Sequence, residues 1–122
     1  MADMHEVVQS YGAAWNETDE GARRALLEKS WADAGVYCDP MGTAEGRDAL
    51  VAHIGGFHQM MPGNRIEVVS GVDEHDGFLR FGWVMKGPDG AVAMEGVDFG
   101  VVDGDGRLAR ITGFFGPLPE AS

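Results

Sequence analysis

A carboxylate in the middle of an apolar strand is the first feature of this sequence that ordinary folding does not explain. Asp98 lies in the run Val97 to Val102, where a charge is costly unless the group is protonated or paired. Strand alternation leaves its direction open: it faces solvent opposite a buried Val97, Phe99 and Val101, or it faces inward. Asp39 closes a short apolar stretch just before Pro40, and on spacing alone it reads as a turn residue. Tyr11 falls on the apolar face of the first helix, where its hydroxyl needs a partner; taken alone it reads as a core aromatic. Two carboxylates and a phenol are groups suited to moving protons.

Other reactive side chains form weaker sets. His5, His53, His58 and His75 are scattered, and the five-residue gap between His53 and His58 is a poor chelating spacing on a helix, so no metal site is expected. Asp73, Glu74, His75 and Asp76 read as a solvated hairpin tip. Cys38, the single cysteine, has no evident histidine partner and reads as a small buried residue, not a nucleophile. Met41, Met60, Met61, Met85 and Met94 fit either a pliable apolar cavity or plain core filling.

The elements that must position these residues follow from periodicity. Met4, Val8, Tyr11 and Trp15 recur at helical steps, which predicts a helix over 4–15. Asn16-Glu17-Thr18-Asp19 supplies a break and capping side chains for a second helix over 19–30. Gly35 ends the helical region, and Val36 to Asp39 forms a short strand stopped by Pro40. Residues 41–46 read as a loop before a third helix over 47–61, with Leu50, Val51, Ile54, Phe57 and Met61 as its apolar stripe. The remainder reads as four strands, 65–72, 78–86, 91–102 and 107–115, separated by turn signals rich in Asp and Gly, and so as an antiparallel meander. Leu79, Phe81, Trp83 and Met85 share one face of the second of these, a face that must pack on the helices or line a cavity beneath them. Helices first and strands after is the α+β pattern, with three N-terminal helices covering one face of a curved antiparallel sheet and leaving a pocket between. Large apolar groups on both faces of the last two strands suggest a second contact surface, most simply a homodimer through the outer face.

Composition narrows the function classes. The 122 residues make one domain of 1–122, and the net charge of −11 gives nucleic acid and anionic membranes nothing to bind. The absence of a basic-then-apolar leader or a long apolar run makes the cytoplasm the default location.

Three features carry a family resemblance: Asp39-Pro40, the helix opening Gly46-Arg47-Asp48, and Asp98 followed by Asp105-Gly106-Arg107-Leu108. Their order over residues 4–116 resembles the NTF2-like superfamily, a helix-covered cone, and within it the branch of SnoaL-like proteins and ketosteroid isomerases. The resemblance implies that Asp39 is a general base, with Tyr11 and a neutral Asp98 as hydrogen-bond donors to an enolate oxygen. It also implies a hydrophobic substrate and no cofactor or metal. The pocket expected from this reading is lined by Trp15, Trp31, Tyr37, Ile54 and Phe57, and across the sheet by Phe81, Trp83, Met85, Ile111 and Phe115. Ile54 stands where the isomerases carry an aromatic residue bonded to the catalytic tyrosine, which leaves the Tyr11 hydroxyl with less support. The 62–78 stretch is shorter than theirs, so one wall should differ. Arg80 and Arg110 alternate with cavity residues and should point outward, which disfavours epoxide hydrolysis. A SnoaL-like polyketide cyclase and a non-catalytic module for an apolar ligand are the alternatives.

Overall fold

The computed structural model describes residues 3–121. Three helices come first: α1 (Met4–Asn16), α2 (Glu20–Ser30) and α3 (Arg47–Met60). Asp3 caps α1 by accepting the His5 N–H at 2.9 Å, and Asp19 caps α2 by accepting the Ala22 N–H at 2.8 Å. The strands are β1 (Trp31–Asp39), β2 (Gly42–Glu45), β3 (Arg65–Val68), β4 (Asp73–His75), β5 (Phe78–Lys86), β6 (Val92–Val102) and β7 (Leu108–Phe115). They form one curved sheet in the order β2-β1-β7-β6-β5-β3, with β4 pairing β5. The architecture is the expected helix-covered α+β cone.

The sheet differs from the expected antiparallel one in a single ladder: β1 runs parallel to β7, so the sheet is mixed. The β1 strand also begins at Trp31, directly after α2. Its first half bulges, since Trp31 pairs with Leu108 while Val36 pairs with Arg110, and Gly35 lies against the Trp31 indole where a Cβ would come within 2.6 Å. The short helix-like segment expected there is therefore a bulged strand. Residues 41–46 are not a free loop, because β2 folds back on β1 as a hairpin. The 65–72 strand breaks after Val68. Asp73 to His75 pair with β5, so the turn shrinks to Asp76 and Gly77, both at positive φ.

Side-chain volume decides which face of β6 is inside. Its larger apolar residues Val97, Phe99 and Val101 take the outer face, and Phe99 remains 43% exposed. Gly96, Asp98 and Gly100 take the inner face and are buried. The glycines are there because neighbouring strands fill the space: a Cβ on Gly100 would meet Ile111 Cδ1 and Leu79 Cδ1 at 3.0 Å each. Leu27, Leu50, Ile54, Leu108 and Ile111 are wholly buried between helices and sheet, each contributing about 1.5–3 kcal/mol. Arg23, also buried, donates to the carbonyls of Glu17, Thr18 and Val51 and so ties α2 to the end of α1 and to α3. Among the described residues no helix is long and apolar enough to cross a membrane.

Candidate functional site

A cavity of about 430 Å³ opens between α1, α3 and the inner face of β5–β7. Its walls are aromatic, built from Trp15, Tyr37, Phe57, Phe81, Trp83 and Phe115. Met41, Met60, Met61, Met85 and Met94 all line it, which decides between the two readings of the methionines. Met41 and Met60 stand at the rim, 71% and 72% exposed. Long unbranched thioethers there give the mouth an adaptable apolar surface.

Asp98, Asp39 and Tyr11 all reach this cavity. Asp98 is held mid-strand between Phe81 of β5 and Gly113 of β7. It is 6% exposed, and its Oδ1 accepts the Trp83 Nε1–H at 3.0 Å. Burial pushes its carboxyl up to about 7, against the pull of the Trp83 hydrogen bond, with Asp39 adding like-charge repulsion. The acid is therefore divided between its two protonation states near neutral pH. Space for it comes from Gly113, where a Cβ would lie 2.9 Å from Asp98 Oδ1 and 3.5 Å from Asp39 Cβ. One glycine thus separates the two carboxylates.

Asp39 is accommodated differently. Its Oδ1 accepts the N–H groups of Met41 and Gly42 at 2.7 and 3.1 Å, as the chain turns into β2. Its Oδ2 accepts the Tyr37 hydroxyl at 2.5 Å. Tyr37 and Asp39 lie two apart on one strand and so share a face. Burial, then the neighbouring Tyr11 and Asp39, raise the Tyr37 pKa far above the usual phenol value, so it stays a neutral donor. The carboxylate keeps unused acceptor capacity on Oδ2 alone, beside the Tyr37 hydroxyl.

Tyr11 stacks on Trp31 with centroids 5.6 Å apart and meets Phe81 edge-on at 6.5 Å. Its buried hydroxyl forms no hydrogen bond of normal geometry among the described residues. Burial first, and the Asp98 charge second, raise its pKa well above the phenol value, so it too stays protonated. An unpartnered buried O–H costs about 1–3 kcal/mol, and the Tyr11 side chain is part of the cavity lining.

Three residues expected at the cavity lie behind its wall. Trp31 is sealed under Tyr11 by the β1 bulge, and Ile111 fills the gap left by Gly100. Ile54 belongs to the α3 stripe with Leu50 and Val51, which faces the core. The adjacent stripe of the same helix, His53, Gly56, Phe57 and Met60, meets the cavity instead. His53 is thus a cavity residue, its ring 5.3 Å from Tyr37 and 6.0 Å from Trp15. Its i, i+3, i+4, i+7 spacing with Gly56, Phe57 and Met60 puts the four on one face of α3. Sequence reasoning missed the Tyr37–Asp39 and Trp83–Asp98 bonds.

The remaining candidates stay outside. Cys38 is half-buried and receives the Thr43 hydroxyl at 3.4 Å. Arg80 pairs with Asp73 at 2.8 Å on the exterior, and Arg110 is exposed. Among the described residues no three His, Cys, Asp or Glu side chains gather as a metal would require.

A cone with a buried acid, a second carboxylate and aromatic walls defines a class of small-molecule pocket proteins. Residues 8–111 match the SnoaL-like domain, and the chain belongs to that family. A proposed isomerase of the SnoaL-like family from Agrobacterium tumefaciens is 35% identical, with a TM-score of 0.88 over 93% of this chain and 98% of that one. A protein from Catenulispora acidiphila with a ketosteroid isomerase-like fold, solved with trimethylamine, is 16% identical over 88% of this chain and 83% of that one (TM-score 0.71). A proposed polyketide cyclase from Sinorhizobium meliloti is likewise 16% identical, over 88% of this chain and 93% of that one (TM-score 0.70). These last two share the fold. No curated protein matches the sequence.

Proposed function

We propose that this protein is an isomerase of the ketosteroid isomerase type, moving a proton next to the carbonyl of an uncharged, hydrophobic substrate. The observation that carries the reading is the cavity floor: a buried acid poised near neutrality beside an unpartnered tyrosine hydroxyl, with a second carboxylate across Gly113. Asp39 Oδ2 takes the proton from the carbon next to the carbonyl, and the C–H electron pair becomes the enolate. Tyr11 and protonated Asp98 donate hydrogen bonds to the enolate oxygen, where charge develops. Asp39 then returns the same proton to a carbon further along the conjugated system, so no redox partner is consumed. The aromatic and methionine lining excludes water and strengthens those bonds. Among the described residues no lysine or arginine lines the cavity, so a carboxylate or phosphate substrate would find no cationic side chain to pair with and would meet the charge of Asp39. The 35% identical relative, itself a proposed isomerase, supports the same class.

The test is spectroscopic. Wild type mixed with a β,γ-unsaturated ketosteroid should generate conjugated-enone absorbance, and Asp39→Asn should not. Turnover that survives Asp39→Asn would remove Asp39 from the mechanism. Absent turnover, with the steroid still raising the melting temperature, would favour a binding module over an enzyme.

The outer sheet face supports a homodimer as part of the proposal. Phe99 and Phe114 sit edge to face at 5.8 Å and remain 43% and 58% exposed. Sedimentation should give a dimer for wild type and a monomer for Phe99→Asp/Phe114→Asp; a wild-type monomer would end that part of the proposal.

A further inference from the structure

Trp83 and Asp98 sit on neighbouring strands, one inward-facing position apart: Phe81 pairs with Asp98 and Trp83 with Gly96. Gly96 has no side chain where a Cβ would lie 2.3 Å from the indole, so the ring lies over β6. There its Nε1–H donates to Asp98 Oδ1 at 3.0 Å. The ring is fixed further by Phe115, edge-on at 5.7 Å.

An indole N–H donates and never accepts. Facing a neutral carboxylic acid it bonds the carbonyl oxygen, because a proton on that oxygen would leave two donors opposed. Asp98 Oδ2 forms no hydrogen bond among the described residues, and Asp98 lines the cavity. From this geometry we infer that Trp83 is a positioning residue that keeps Oδ1 as the acceptor and so places the proton of neutral Asp98 on Oδ2, turned to the substrate oxygen. The inference rests on the reading of Asp98 as a donor in the proposed reaction.

The arrangement has a chemical cost that makes it informative. A donor on Oδ1 favours the ionised form, which opposes the burial that keeps Asp98 neutral. A device that only maximised neutrality would leave Oδ1 dry. What the indole adds is direction: one oxygen is committed, and the acid cannot turn its proton away from the cavity. The other titratable groups facing Asp98 are Tyr11 from α1 and Asp39 and Tyr37 from β1, while β7 presents Gly113. His53 of α3 lines the same cavity.

The chain has three tryptophans, and so three indole N–H resonances in a ¹⁵N-labelled sample. The Trp83 resonance, identified by its contacts to Phe115 protons, should move with pH along the same midpoint as the Asp98 carboxyl carbon. In Asp98→Asn it should be flat. The Trp15 indole, 6.0 Å from His53, reports His53 separately. In Trp83→Phe the Asp98 midpoint should move to higher pH while kcat of the unsaturated ketosteroid falls about tenfold at low pH with little change in KM, less than the loss of a donor itself. A merely structural tryptophan would not move the rate and the midpoint in these opposed senses. A Trp83 indole that ignores the Asp98 titration, or an unchanged Asp98 midpoint in Trp83→Phe, would overturn the inference. If the variant fails to fold, the wild-type titration still decides. Absence of wild-type turnover would sink the isomerase reading and leave the resonance measurements to judge the proton's place.

Discussion

Asp39 and Asp98 flank the same glycine, yet the two ends of this short path treat a carboxylate in different ways. At the end of β1 the chain turns, and its freed backbone N–H groups converge on Asp39; with Tyr37, that carboxylate accepts three hydrogen bonds. In the middle of β6 the ladders to β5 and β7 occupy the backbone donors, so only a side chain can reach Asp98, and one does. Asp98 is consequently under-solvated and pushed up to about 7. Place along a strand, not residue type, separates a carboxyl group that accepts three hydrogen bonds from one that accepts a single bond and is pushed up by burial. The pairing of unlike environments is what a proton-transfer site needs.

The contrast can be broken from either side. The largest effect is expected from Asp39→Asn, which keeps the shape of the turn and removes the base: kcat should fall on the order of 10³-fold in the enone assay, with little change in KM. Next comes Asp98→Asn, read as stability against pH. The folded-state pKa is raised from 3.8 to about 7, so the folded protein holds this proton more tightly than the unfolded chain. The contribution of this proton to wild-type stability is therefore complete below about pH 4 and lost as pH rises through 7. Asn carries no such dependence. The two proteins should melt alike near pH 4, and the variant should be favoured at pH 8 by up to roughly 4 kcal/mol. A constant difference across that range would remove the contrast between the two aspartates.

Tyr11→Phe should divide activity from stability. Loss of the donor lowers kcat about 10²-fold, while removal of an unpartnered buried hydroxyl stabilises by about 1 kcal/mol in denaturant melts. A loss of stability would mean that the hydroxyl has a partner in solution. The smallest effect is expected from Gly113→Ala. Its methyl would lie 2.9 Å from Asp98 Oδ1, forcing the acid off Trp83 at a cost of about 1–2 kcal/mol.

Much of this was legible before folding. The helical spacing of Met4, Val8, Tyr11 and Trp15, the capping Asp19, and the turns around Asp89-Gly90 and Asp105-Gly106 are local signals, and they located three helices and the meander. The β1–β7 parallel ladder was not legible, because it joins residues more than seventy positions apart and no turn chemistry announces it. The bulge at Trp31 was hidden for a related reason: a tryptophan and a glycine next to a helix look like its last turn until the sheet is there to pull them out. Residue types also flagged Tyr11, Asp39 and Asp98, and Phe57 of α3 lines the cavity as expected, but Ile54, expected beside it, faces the core with Leu50 and Val51.

The sequence by itself determined that a carboxylate would stand in an apolar strand, since Asp98 between Val97 and Phe99 is written in the chain. Which way it pointed was decided only by tertiary structure. Alternation is mute when one face of a strand carries valine and phenylalanine and the other carries glycine, because glycine reads as exposed or as crowded. Here it is crowded: the Trp83 indole and the Ile111 and Leu79 side chains occupy the space over Gly96 and Gly100. That filling buries the glycine face, takes Asp98 inside with it, and gives the cavity its acid.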